Sequence, residues 1–171
     1  MNIFYFHDCP VESAQAQPDK LLVKMPLESA QMLSACHRIL DGDEYADENL
    51  LYKTTHKNHP CSIWLRESTG NYLWLYKHFI ALADEYLERY GRHHLSYTKL
   101  YKALEKFPTN LPFGEMTPLA QAMPEEYRNI DPKKAYRDYV VNEKAYAKWE
   151  KIPSRRPDWW VNGICDLQQQ L

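Results

Sequence analysis

The sequence is poor in glycine, with five in 171 residues, and 44% of it is hydrophobic. That balance excludes a low-complexity or disordered chain and points to a packed globular domain, long enough for one real core and too short for two. No run approaches the ~20 apolar residues that a membrane-spanning helix needs. The opening "MNIFYFHDCPVES" has neither the basic start nor the long apolar stretch of a secretion signal, so a cytoplasmic protein is expected. The four cysteines, at 9, 36, 61 and 165, are scattered without a C-x-x-C pair, which argues for free thiols over a zinc ribbon or redox site. No phosphate-cradling loop, dinucleotide fingerprint, G-x-S-x-G or H-E-x-x-H occurs, so kinase, dehydrogenase and hydrolase-fold readings lose their footing. No cofactor and no metal are called for.

What is present is aromatic and helical. Thirteen tyrosines and five tryptophans are many for this length. The expected fold is all-α: a single compact domain of about four main helices with a long Pro-rich loop. Residues 1–18 form an N-terminal segment, with "NIFYF" extended against the core. The first long helix runs from Asp19, which can cap it, to about Leu40, kinked or restarted at Pro26. It stops at the acidic turn "DGDEYADE". Trp64 and Leu65 begin a second helix, interrupted near Thr69-Gly70. Tyr72, Leu75, Tyr76, Phe79, Leu82, Ala83, Tyr86 and Tyr90 then recur at helical spacing up to Gly91. Ser96 caps a shorter helix that ends before Pro108. A Pro-rich loop spans 108–130, and Asp131-Pro132 opens a last helix through about Lys151. Residues 161–171 read as a flexible tail.

Charge is unevenly spread. Residues 1–52 carry nine acids and three bases, whereas 133–156 carry eight bases, Arg137 and Lys144 among them, against three acids. Such polarity suits a protein that presents one face to polyphosphate, although charge runs also mark ordinary solvated helix faces. The segment "YKTTHKNHPCSIWLRES" (52–68) gathers Lys53, His56, Lys57, Asn58, His59 and Arg66 before its first acid, Glu67. Lys, Arg, Asn and backbone N–H groups all serve phosphate oxygens. A loop that merely satisfies its own turns has the same composition. His56 and His59 share an H-x-x-H spacing but lack a third metal ligand at a recognised distance. On the first helix Lys24, Glu28, Gln31 and Arg38 fall at helical offsets, with His37 adjacent. This is either a solvent-exposed face with an i,i+4 ion pair or a carboxylate placed among cations for proton transfer. Most aromatics at helical spacing are core; Trp64, Trp74, Trp159 and Trp160 are the candidates for stacking on bases.

Three blocks carry a resemblance: "DKLLVKMPLESAQMLSACHR"; "NHPCSIWLRES" running into "YLWLYKHFIALADEYLERYG"; and "MPEEYR" followed by "RRPDWW". As a set they resemble a group of small tailed-phage proteins and, more distantly, the phage endonuclease V-type pyrimidine-dimer DNA glycosylases. That resemblance implies a compact all-α enzyme acting on damaged or modified pyrimidines in kinked duplex DNA, in the host-cell cytoplasm if phage-encoded. An N-terminal α-amine attacks the sugar C1′ as a Schiff-base nucleophile, and a helix glutamate supports base release and elimination. An α-amine, at an ordinary pKa of about 7.7–8.0, suits this better than a lysine at about 10.4. Carried over, Glu28 resembles the helix glutamate, His56, Lys57, Asn58, His59 and Arg66 the DNA-facing segment, and Trp159 and Trp160 the C-terminal aromatic cluster. The sequence departs from the family at Asn2, where a small residue normally becomes the N-terminus. Three alternatives follow from the resemblance: the Met1 amine serves as the nucleophile, Lys20 or Lys24 substitutes, or the lyase chemistry is absent. His37, Arg38, Lys53, Arg137 and Lys144 complete the expected phosphate contacts. Two other readings stand beside this one: a nucleotide-binding or nucleotide-modifying enzyme, and a non-catalytic phage protein that binds a host or defence protein.

Overall fold

The computed structural model describes residues 1–161; the expected tail lies almost entirely outside the described residues. Those described contain eight helices and no strand, and form one compact domain. They are α1 (Pro10–Gln15), α2 (Asp19–Asp41), α3 (Glu44–Glu48), α4 (Pro60–Leu65), α5 (Thr69–Tyr90), α6 (Leu95–Glu105), α7 (Pro132–Glu143) and α8 (Asp158–Val161). Four of them exceed two turns: α2, α5, α6 and α7. The long helices α2 and α5 pack on each other and form the spine. Leu22, Met25, Met32, Leu33 and Cys36 of α2, and Tyr72, Leu75, Phe79 and Leu82 of α5, are almost completely buried. Helices α4 and α6 lean on α2, and α1 on α5.

The N-terminal segment is buried as the "NIFYF" pattern predicts, from Ile3 through Phe6. Phe4 sits there in the left-handed region, φ 56°. For a residue with a β-carbon this conformation costs about 1–2 kcal/mol, and the Phe4 ring is held among Phe6, Tyr136 and Tyr139.

Several expected boundaries move, each for a physical reason. Asp19 does not cap α2; the cap position is Pro18, and the Asp19 carboxylate is used at long range. It accepts the backbone N–H groups of Glu150 (2.7 Å) and Lys151 (3.2 Å) and pairs with Arg89. Pro26 is buried inside a helix that does not restart. The second helix is two, α4 and α5, because Ser68 leaves helical geometry to cap α5 at Asn71 N–H. His94, not Ser96, caps α6. The last helix ends at Glu143 rather than near Lys151. Beyond it Ala147 and Trp149 still reach the core, but from an irregular segment held by Asp19.

The Pro-rich loop is pinned to the start of α5. The Thr69 and Gly70 N–H groups, which no helical partner can serve, donate to the carbonyls of Pro112 (2.9 Å) and Gly114 (3.0 Å). The approach is so close that a β-carbon on Gly70 would collide with the Met116 backbone nitrogen. Arg89 holds the opposite end of α5. Its side chain is fully buried, donating to Glu85, to Asp19 and to the carbonyls of Gln15 and Gln17. Glu85 also accepts from Arg155. Removing Arg89 would leave two carboxylates without their shared buried partner. Arg89→Ala is therefore expected to cost about 3–5 kcal/mol of folding free energy in chemical denaturation; a loss below about 1 kcal/mol, the value of an exposed pair, would contradict this assignment.

Candidate active site

The start of the chain lies against the middle of α2. The Asn2 N–H donates to Glu28 Oε2 at 3.1 Å. Glu28 and Met1 are both half-buried. Only three covalent bonds separate the Met1 α-nitrogen from the Asn2 nitrogen, so the amine is confined to within about 4 Å of that atom. The Asn2 side chain is buried and locks this placement. Its Nδ2 donates to the Ala122 carbonyl at 2.8 Å, and its Oδ1 accepts the Ile3 N–H at 2.8 Å.

The N-terminus of α4 completes the arrangement. His59 caps it, Nδ1 accepting the Cys61 N–H at 3.1 Å, with Pro60 as the first helical residue. Because Nδ1 is occupied as an acceptor, neutral His59 carries its proton on Nε2. Burial, and then the positive N-terminal amine and His56, hold its pKa below the ordinary histidine value. Cys61 beneath it is fully buried, and that burial pushes its thiol up to about 11, so it remains protonated. An amine, a carboxylate and a neutral imidazole thus share one partly open site. In general an α-amine held beside a carboxylate can act as a nucleophile whose proton the carboxylate takes and returns.

A family model for pyrimidine dimer DNA glycosylases matches residues 1–98, more than half of the chain. The protein belongs to the pyrimidine dimer DNA glycosylase family. No curated protein and no solved structure matches it. The matched region includes Met1, Glu28 and the whole 52–68 segment, whereas Ala122 lies beyond it.

The remaining candidates divide by position. Lys53, His56, Lys57 and Asn58 are exposed on the loop leading into α4, with His56 in the left-handed region at φ 50° and Lys53 paired to Asp47. Arg66 is half-buried and braces this loop by donating to the Lys57 carbonyl at 3.0 Å and to Ser62. Lys24 is exposed one turn from Glu28. His37 and Arg38, expected at phosphates, are both buried instead. Arg38 is buried and saturated by Asp43, Asp47 and the carbonyls of Leu51 and Tyr52. The acidic turn is therefore the partner of this arginine.

Most bases of the 133–156 stretch also have partners, several of them at the surface. Lys133 pairs with Asp8, Lys134 with Asp138, Lys148 with Glu150 and Arg155 with Glu85. Arg137 donates to the Phe6 carbonyl and lies over Trp159, and Lys144 lies over the Tyr139 ring. Trp159 and Trp160 are half-buried among Phe6 and Trp149, so their rings already have aromatic partners. The sequence reading missed Asn2 and Cys61 as site-building residues. The only local signal was the Pro60 that follows His59, a first-turn proline that marks a helix start four residues before Trp64.

His37 is an internal structural group. Tyr72 hydroxyl donates to the Leu104 carbonyl at 2.7 Å and so accepts from His37 Nε2 at 3.0 Å, leaving His37 Nδ1 without a partner among the described residues. His78 is likewise enclosed, against the Pro10 carbonyl. Burial pulls both pKa values down to about 4. The unfolded chain takes up these protons near 6.5 and the folded protein only near 4, so this contribution to stability is fully present above 6.5 and is lost as pH falls towards 4. The expected loss is about 3 kcal/mol per histidine at the acid end. Thermal unfolding between pH 7 and 4 checks it: an unchanged Tm would contradict the assignment of both rings as neutral.

Proposed function

We propose that this protein is a DNA glycosylase with abasic-site lyase activity on damaged or modified pyrimidines, using the Met1 α-amine as nucleophile and Glu28 as its proton partner. The observation that carries this reading is the 3.1 Å contact between the Asn2 N–H and Glu28, which keeps the first residue of the chain beside that carboxylate. Family membership supports duplex DNA, rather than a free nucleotide, as the substrate.

The neutral amine attacks C1′ of the damaged nucleotide. The new N–C1′ bond forms as the C1′–base bond breaks, and the departing base takes up a proton. Glu28 accepts a proton from the alkylated amine. Opening of the sugar ring, with protonation of O4′, leaves a Schiff base at C1′. Loss of a proton from C2′ then expels the 3′ phosphate. A carboxylate beside a transient cation favours each step electrostatically.

Affinity falls to different residues. Lys53, His56, Lys57 and Asn58 lie exposed next to the α4 end of the site and reach for backbone phosphates, while His59 offers its Nε2–H as a neutral donor. Phosphate contacts of this kind set binding strength and salt dependence without reading sequence.

Glu28→Gln tests the assignment cleanly, because the amide oxygen still accepts from Asn2 while the charge and basicity are gone. The expected result, on a duplex carrying a single pyrimidine dimer, is a fall in base release of at least about 100-fold with DNA affinity almost unchanged. Wild-type cleavage by this variant would refute the role of Glu28. Lys57→Ala should leave single-turnover cleavage intact at saturation and lower the salt slope of binding by about one.

A further inference from the structure

The site does not end with the residues that the family model covers. Asn2, whose backbone faces Glu28, is held from behind by the Ala122 carbonyl, in the Pro-rich loop. That stretch of loop is in turn organised by one buried hydroxyl. Tyr136 of α7 is fully buried; its OH donates to the Ala120 carbonyl at 2.6 Å and accepts the Ala122 N–H at 3.3 Å. Cys61 Sγ lies 3.8 Å from the same hydroxyl and 3.9 Å from Asn2 Oδ1, close enough for a protonated thiol to donate weakly to either. The chain of contacts therefore runs from Tyr136, through the 120–122 backbone and the Asn2 side chain, to the nitrogen that meets Glu28.

Resting on the function proposed above, we infer that Tyr136, outside the family match, and Asn2, inside it, are positioning residues that together fix the direction of the N-terminal amine. Neither touches the reacting atoms. A terminal residue would ordinarily sample many orientations, and holding a nucleophile in a near-attack geometry is worth orders of magnitude in rate. Among the described residues the hydroxyl has no other partner. Its single proton goes to Ala120, and its acceptor capacity serves Ala122 and Cys61. Tyr136→Phe keeps the ring, which fills the core beside Phe4, and removes only the organising atom. Its consequence should therefore fall on the chemical step and spare DNA binding.

Tyr72 provides the control. It is a second buried tyrosine whose hydroxyl serves only the fold, bonding to His37 and to the Leu104 carbonyl. The experiment is single-turnover borohydride trapping of the Schiff base on a duplex with one abasic site, alongside Kd for the same duplex and Tm, for wild type, Tyr136→Phe and Tyr72→Phe. The expected result is a trapping rate lowered about tenfold or more in Tyr136→Phe, with Kd unchanged and Tyr72→Phe trapping at the wild-type rate despite a similar loss of Tm. Equal trapping rates for wild type and Tyr136→Phe would overturn the inference and leave the glycosylase reading standing. Absence of any adduct with wild-type protein would overturn that reading, and the inference with it. Should Tyr136→Phe not fold, Asn2→Leu removes the link to Ala122 without a small second residue that would promote loss of Met1. The same slowed trapping is expected, and a wild-type rate overturns the inference.

Discussion

A backbone hydrogen bond from Asn2 to Glu28 ties the least constrained part of the chain, its beginning, to the middle of the longest helix. Everything proposed about chemistry follows from that tether. Without it the α-amine is a mobile group at the end of a polymer and Glu28 is one more half-buried carboxylate. With it, an amine, a carboxylate and the cap of α4 occupy one small region, and the exposed loop before α4 stands beside them. The arrangement costs conformational strain at Phe4, held in the left-handed region while its ring packs into the aromatic core. Such strain persists only where the surroundings determine it strongly, and here the neighbours are the same Tyr136 and α7 that organise the Asn2 anchor.

The rest of the architecture keeps this end of the molecule from drifting. Asp19 and Arg89 clamp the start of α2 and the end of α5 to the segment after α7. At the other end of α5, Gly70 allows the Pro-rich loop to lie against the helix backbone, so that the same loop can continue to Ala122 and reach Asn2. Loop, α7 and the N-terminal segment therefore act together, although more than a hundred residues of sequence separate some of their contacts.

Helices announced by long periodic patterns were legible from the sequence: α2 and α5 appear where the spacing of apolar residues places them, and Gly91 ends α5 in the left-handed conformation. The sequence places Glu28 on α2, but its meeting with Asn2 is not legible there, because a backbone contact between an extended segment and a helix face leaves no periodic trace. Arg38 was misread for a related reason. Its partners, Asp43 and Asp47, belong to the acidic turn that follows α2, which composition alone does not connect to this arginine. Likewise the basic stretch after residue 133 looked like free positive charge, whereas Lys133, Lys134 and Arg155 neutralise carboxylates close in space. Asp19 carried a plausible local role as a cap, and a remote demand from Glu150, Lys151 and Arg89 outweighed it.

The most direct measurement is the chemical identity of the nitrogen that joins DNA. After reduction of the protein with duplex DNA containing an abasic site, proteolysis and tandem mass spectrometry locate the sugar remnant. The account predicts a single modification on the α-nitrogen of Met1, with Lys20 and Lys24 unmodified. A remnant on either lysine side chain would contradict it, because the tether between Asn2 and Glu28 would then present the wrong amine.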